Sequence, residues 1–464
     1  RADRLHQQIV NKKGWISHDL SEIYQNTIQV VKDVVEKSGI EKNEIACLGI
    51  SNQRETSAAW NKNTGEPLAD AIVWQCARAE DICENIKQQG VEEQIRQKTG
   101  IHLSPYFPAS KYAWMEKYIE AVKYAKINNE LCLGTIDSWL VYKLTKGATY
   151  ATDYSNASRT QLFNIHTLKW DEEICRWFGI NSNQLPVVHD SAFLYGYTDF
   201  EGFLEIPIPI TGVIGDSQGA LFGQGCVKKG SVKATYGTGS SVMMNIGEQA
   251  LLSEAGLVTS VAWGISGKVS YVLEGNINYT GAVITWLKDE LGLITLPEET
   301  QTLAEKANPD DDTYLVPAFS GLGAPYWNAD AKASIYGMSR MTGKNEIVKA
   351  AVESIAYQIK DIVDLMKREN SLPVEKLCVD GGPTKNKYLM QFQSDILDTV
   401  VSLPECEESS ALGAARLAGI QFGMYAKDEI VPRTVRQEYH PSMSLSRRME
   451  KYQGWQEAIK KAIL

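Results

Sequence analysis

Arginine and glutamate stand side by side in Asn52-Gln53-Arg54-Glu55-Thr56, directly after the compact apolar run 45–51. A strand over 45–51 would deliver the pair to its C-terminal end, where α/β sheets bind ligands. Guanidinium donors next to carboxylate acceptors are the chemistry a neutral polyol requires. Out of context a surface salt bridge is the commoner reading. A second carboxylate, Asp216, follows Gly215 and the apolar run 210–214. It could take the proton from an attacking hydroxyl in phosphoryl transfer, or cap a helix expected over 218–224. Spacing leaves both readings open.

Two glycine-rich strand exits could hold phosphate or nucleotide. Tyr236-Gly237-Thr238-Gly239-Ser240-Ser241 follows the strand-like run 231–236, and its glycines let several amides face one anion. Alone it reads equally as a β-turn. Val379-Asp380-Gly381-Gly382-Pro383-Thr384-Lys385-Asn386 lies between an apolar run and a helix expected over 387–398. A double glycine there admits a flat ligand beside a helix N-terminus, while Thr384 or Asn386 could simply cap the helix. Two similar segments fail. Gly337 to Asn345 has five residues between its glycines and lacks the P-loop Ser or Thr, and Pro325 interrupts the glycines at 321 and 323.

The elements that would carry these residues alternate between helical and strand patterns. Ile23, Ile28, Val31, Val34 and Val35 follow a 3.6 period over 20–38, which predicts an amphipathic helix. Further helices are expected over 111–126, 281–291, 344–369, 385–398 and 409–423, a buried strand over 131–135, and a hairpin turn at 61–65. Beyond residue 222 the pattern turns β-rich over 231–236, 241–246, 257–263 and 269–274. The expectation is α/β layers in two bodies, 1–222 and 223–464.

Composition excludes several classes. A net charge of −10 argues against sequence-independent nucleic-acid binding, which needs cations on phosphates. Eight scattered cysteines without a CxxC pair argue for buried, reduced thiols rather than disulfides or zinc, and no HExxH appears among the six histidines. No apolar run approaches the roughly 18 residues of a membrane span, so a cytoplasmic protein is expected.

Taken together, these residues resemble the FGGY carbohydrate kinases, and within them the glycerol kinases. Two family signatures are read at Tyr106-Phe107-Pro108-Ala109-Ser110-Lys111-Tyr112-Ala113-Trp114 and over 333–353. GISNQRET, AIVWQC, TDYSNASRTQLFNIHTL, VPAFSGLGAPYW and LMQFQSDIL extend the likeness over nearly all of 14–460. The resemblance implies two actin/hexokinase-like (ribonuclease H-like) ATPase domains around a cleft, the first binding polyol and the second nucleotide. It implies ATP-dependent phosphorylation of glycerol to glycerol 3-phosphate. Residue by residue, Arg54, Glu55 and Tyr106 match glycerol-bonding positions, and Trp74 an aromatic against the carbon chain. Asp216 matches the catalytic base. Thr238 and Gly281 match contacts near the phosphates, and Gly382 and Asn386 the adenosine side. Mg²⁺ would bridge phosphate oxygens, with Asp216 the protein carboxylate at hand. A homo-oligomer is expected.

The sequence also departs from the family pattern. Relatives open with a strand and hairpin carrying an Asp-x-Gly-Thr-Thr-Ser turn, which has no counterpart here; with Arg1 in first place, a chain cut short at its start is the expectation. Ser217, beside the base, replaces a Gln, and Ser241 replaces a pocket-closing aromatic, which makes a larger polyol an alternative substrate. Thr285 stands for a Gln near the nucleotide. The loop that binds a regulatory sugar bisphosphate in some relatives is missing around 200–208. A silent binding protein without the first phosphate turn is the rival from another class.

Overall fold

The computed structural model describes residues 1–425 and 434–464, which form an α/β molecule. Ten strands make one sheet, in the spatial order Val435–Tyr439, Val400–Pro404, Lys376–Asp380, Val232–Tyr236, Ser240–Gly247, Lys268–Ile277, Val258–Ile265, Ala192–Thr198, Ile208–Gly215, Leu48–Asn52. A second, five-stranded sheet uses strands from residues 9–135. No helix among the described residues is long and apolar enough to cross a membrane.

At one edge of the large sheet, Ile208–Gly215 runs parallel to Leu48–Asn52, with Gly215 opposite Asn52. Parallel pairing sets both C-terminal ends together, so Arg54-Glu55 and Asp216 leave the sheet at the same place. Further in, Ser240–Gly247 and Lys268–Ile277 pair antiparallel, with Ser241 opposite Asn276. The strands of the two halves meet at the pair Ala192–Ile265.

Close helix packing fixes the Asp216 end. The helices Asp216–Gly223 and Ser409–Phe422 approach so nearly that a Cβ on Gly413 would lie 1.9 Å from the Gly219 carbonyl oxygen. Only glycine admits that contact. Ser410 Oγ then donates to the Asp216 carbonyl at 2.8 Å, clasping the start of the helix. In the second half of the chain, the helix Lys344–Asn370 buries Val348, Val352, Ile355, Ile359, Ile362 and Met366, a 3.6-period stripe against the sheet.

Some expected bounds shift for local reasons. The helix Leu20–Ser38 and the turn at 61–65 stand as read, the turn closed by Asn61 Oδ1 accepting from the Asn63 and Thr64 amides. The helix expected over 111–126 is two, Pro108–Tyr118 and Glu120–Ile127, broken at the extended Ile119, which packs on the same core as both. The strand expected over 45–51 is Leu48–Asn52, because Lys42–Glu44 is a 3₁₀ turn and Ile45 caps it. Six cysteines are buried, but Cys47 is half-buried and Cys406 exposed.

Candidate functional site

Arg54 and Glu55 sit where the chain turns sharply out of the sheet. Glu55 has φ of 60°, and the Thr56 amide donates to the Arg54 carbonyl at 2.8 Å, closing a three-residue turn. A non-glycine residue held there is strained backbone, of the kind that functional sites retain. Gly215 makes room for the Arg54 side chain, since a Cβ there would meet Arg54 Cγ at 2.7 Å.

Arg54 is buried and bridges the two halves. Its Nη1 and Nη2 donate to Glu274 Oε2 and Oε1 at 3.0 and 3.1 Å, a two-pronged pair across to the strand Lys268–Ile277. Arg159 adds a second bridge: Nε donates to Glu55 at 2.5 Å, and Nη1 lies 3.0 Å from Glu274. Burial alone would push the Glu274 carboxyl up, but Arg159, Arg54 and hydrogen bonds from Arg54 and Ser241 hold it well below the usual range.

Asp216 differs from these buried charges. Its side chain is 46% exposed, and Oδ1 lies 3.2 Å from Arg54 Nε. Among the described residues, Arg54 Nε makes no hydrogen bond of normal geometry, and the Asp216 carboxylate is its ion-pair partner. The helix starts at Asp216 itself with Gly215 as its cap, and Asp216 Oδ1 accepts only the adjacent Ser217 amide, at 2.6 Å. Of the two sequence readings, the N-cap position falls to Gly215, and the Asp216 carboxylate is left half exposed. Ser217 follows it in the first turn of the helix.

Aromatic residues form the apolar side. Trp74 and Tyr106 come from separate loops, yet their rings lie 5.5 Å apart, tilted by 57°. Burial, with the Glu55 charge, pushes the Tyr106 phenol up, so it stays a protonated donor.

The glycine-rich exits meet around a cavity of ≈ 530 Å³ whose walls include Thr238, Gly281, Thr285, Gly382 and Asn386, so all four expected nucleotide residues line one space. The Gly281 amide is spent on the Gly237 carbonyl at 2.8 Å and the Ala282 amide on Thr238 at 3.0 Å, so this helix start locks the Gly237–Gly239 turn rather than offering bare amides. Gly381 needs its glycine: φ is 98°, and a Cβ would lie 1.9 Å from the Tyr236 oxygen. A Cβ on Gly382 would meet nothing within 4 Å, an open face for a flat ring. Asn386 caps the following helix, accepting from Leu389 at 3.0 Å, and donates to Thr300 at 3.1 Å.

Strand alternation links the two regions. Ser240 bonds Thr280 at 2.7 Å on the side of the glycine-rich turns, while Ser241 turns the other way and donates to Glu274 at 3.1 Å. Ser241 is therefore engaged with the arginine network. Among the described residues, no group of three or more His, Cys, Asp or Glu could hold a metal, so Asp216 belongs to no such cluster.

Family models decide the class. The N-terminal domain of the FGGY family of carbohydrate kinases matches residues 1–223, and its C-terminal domain matches 232–422. The chain belongs to the FGGY family of carbohydrate kinases. Like its relatives, it is a phosphotransferase acting on an alcohol group. It is 48% identical over 465 residues to glycerol kinase 1 of Thermotoga maritima, covering 100% of this chain and 94% of the relative. It is 45% identical over 454 residues to the glycerol kinase of Brevibacillus brevis, covering 97% and 91%. The crystal structure of Plasmodium falciparum glycerol kinase with ADP superposes with a TM-score of 0.93 at 36% identity, over 99% of this chain and 93% of that one. Gluconate kinase of Lactobacillus acidophilus shares the FGGY fold, with a TM-score of 0.84 at 22% identity over 97% and 89%.

Sequence reasoning missed Arg159 and Glu274. Glu274 left a faint signal, a lone acid in the apolar run Tyr271-Val272-Leu273 of a strand, where an unpaired charge is costly. Arg159 lay within the family-like stretch TDYSNASRTQLFNIHTL, but only the fold shows that it reaches Glu55.

Proposed function

We propose that this FGGY kinase transfers the γ-phosphoryl group of ATP to a primary hydroxyl of glycerol, giving glycerol 3-phosphate and ADP. The observation that carries the proposal is the half-exposed Asp216 carboxylate paired with Arg54 Nε, both at the ends of neighbouring parallel strands. Arg54 and Glu55 orient the polyol hydroxyls, Tyr106 donates a further hydrogen bond, and Trp74 covers the carbon chain. As the hydroxyl oxygen bonds to the γ-phosphorus and the bridge to the β-phosphate breaks, Asp216 takes the hydroxyl proton.

Thr238 and Gly281 border the phosphate path, and Gly382 and Asn386 the adenosine, in a cavity of ≈ 530 Å³. A half-exposed carboxylate together with the nucleotide's own phosphate oxygens suits Mg²⁺, which takes one or two carboxylates beside phosphates. When bound, the ion offsets the charge developing on the transferred group. In this reading residues 1–222 carry the polyol side and 223–464 the nucleotide side, and the reaction runs on cytoplasmic ATP. A larger polyol is the second reading, from the small side chains of Ser217 and Ser241.

ADP release with Mg²⁺, ATP and a panel of polyols and sugars tests the proposal. Glycerol is expected to give the highest kcat/KM. Absence of turnover on any member would sink it, and preference for a longer polyol would favour the second reading.

Gly382 offers a separate check on the nucleotide side. Gly382→Val places its Cβ in open space, so the fold should survive while the ATP KM rises on the order of tenfold, the glycerol KM staying put. A normal ATP KM in the folded variant would move the adenosine away from this face.

A further inference from the structure

Lys111 is a buried charge that the proposed reaction does not use. Its side chain is 0% exposed, on the helix Pro108–Tyr118, and Nζ donates to the Trp74 carbonyl at 3.0 Å and the Tyr106 carbonyl at 2.5 Å. Those two residues carry the rings assigned to the polyol. Trp74 lies after the strand Ala71–Ile72 and Tyr106 just before the helix Pro108–Tyr118, and no hydrogen bond between their backbones joins them among the described residues. One ammonium is thus the direct polar tie between the two loops.

This tie is costly. Burial pulls the Lys111 amine down to about 7, even with the Glu55, Cys76 and Cys83 groups favouring its charge and Arg78 opposing it. A methionine of similar length would fill the same space without that desolvation. A residue whose charge is expensive to bury, and whose two hydrogen bonds both reach the backbone of the substrate-facing residues, is explained by placement of those residues.

We infer that Lys111 is a positioning residue for the polyol, setting the gap between the Trp74 and Tyr106 rings by holding both of their carbonyls. The inference rests on the polyol site proposed above. It concerns binding of the acceptor and not the phosphoryl step, since Lys111 is fully buried and bonds the Trp74 and Tyr106 carbonyls.

Steady-state kinetics on purified Lys111→Met, beside wild type in the same assay, test it. The KM for glycerol is expected to rise on the order of tenfold to a hundredfold, as a misplaced site predicts, with the ATP KM essentially unchanged. Arginine cannot fit its fork into the space of one ammonium, so Lys111→Arg should not restore the glycerol KM. Wild type that fails to use glycerol would sink the site assignment itself. Wild-type turnover with an unaltered glycerol KM in Lys111→Met would overturn only the role of Lys111. An equal rise in both KM values together with a lowered melting temperature would also overturn it, marking a merely structural lysine. If Lys111→Met does not fold, Lys111→Gln, which keeps a donor, is judged by the same numbers. Should neither fold, the lysine is structural and the inference falls.

Discussion

Replacing Asp216 with asparagine is expected to lower kcat with glycerol by about 10²–10⁴-fold while leaving the fold and both substrate affinities nearly intact. The effect on chemistry is large because the amide cannot accept the proton that must leave the attacking hydroxyl. Its effect on stability is small because the side chain is 46% exposed and its hydrogen bond within the protein, to the Ser217 amide, can be kept by the asparagine oxygen. Steady-state kinetics with calorimetric binding of glycerol read both quantities. A folded Asp216→Asn variant within a factor of about ten of wild-type kcat would remove Asp216 as the base.

Glu274 should show the opposite balance. Glu274→Gln removes the negative charge facing two buried guanidinium groups, those of Arg54 and Arg159. Breaking a buried pair on one side costs about 3–5 kcal/mol, because the partner charge remains unpaired. Unfolding by denaturant is expected to show a loss of that size, and kcat/KM should fall as Arg54 loses its two-pronged hold. The pH dependence has a definite sign. Glu274 is held below its unfolded value of about 4.3, so its contribution is fully present above that pH and is lost as pH falls through the folded pKa. The acid limb of the stability curve should therefore flatten in Glu274→Gln. An unchanged acid limb and unfolding free energy would show that the network is neutral overall, as buried ion pairs can be when compared with uncharged replacements.

These two predictions separate what Asp216 and Glu274 do within one small region. Asp216 is half exposed, so in the proposed reaction a substrate hydroxyl can reach it to give up a proton. Glu274 is enclosed and does its work by being fully engaged. The same contrast explains why Asp216 stood out in the sequence and Glu274 did not. A carboxylate just after a strand and a glycine is a recognisable position for ligand chemistry, because parallel strands present their C-terminal ends to clefts.

Local physics made much of this protein readable from its residues. The 3.6-period of Ile23, Ile28 and Val35 set the helix Leu20–Ser38, and the glycines at 237, 239, 381 and 382 marked tight strand exits. Backbone requirements are short-range, so composition and spacing express them directly. The strand starting at Leu48 and the break at Ile119 were less legible, since a 3₁₀ turn and packing on a shared core fixed those bounds. Spacing could not choose between base and cap for Asp216; the cap falls to Gly215 only once the backbone at the helix start is known. Sequence thus determined the elements, the glycine turns and the set of polar residues at strand ends. Tertiary structure alone decided that Arg54 would meet Glu274, 220 residues away, that Arg159 would reach Glu55, and that Lys111 would join Trp74 to Tyr106. Such pairings depend on the order and register of strands far apart in the chain, and no local pattern records where a buried charge will find its partner.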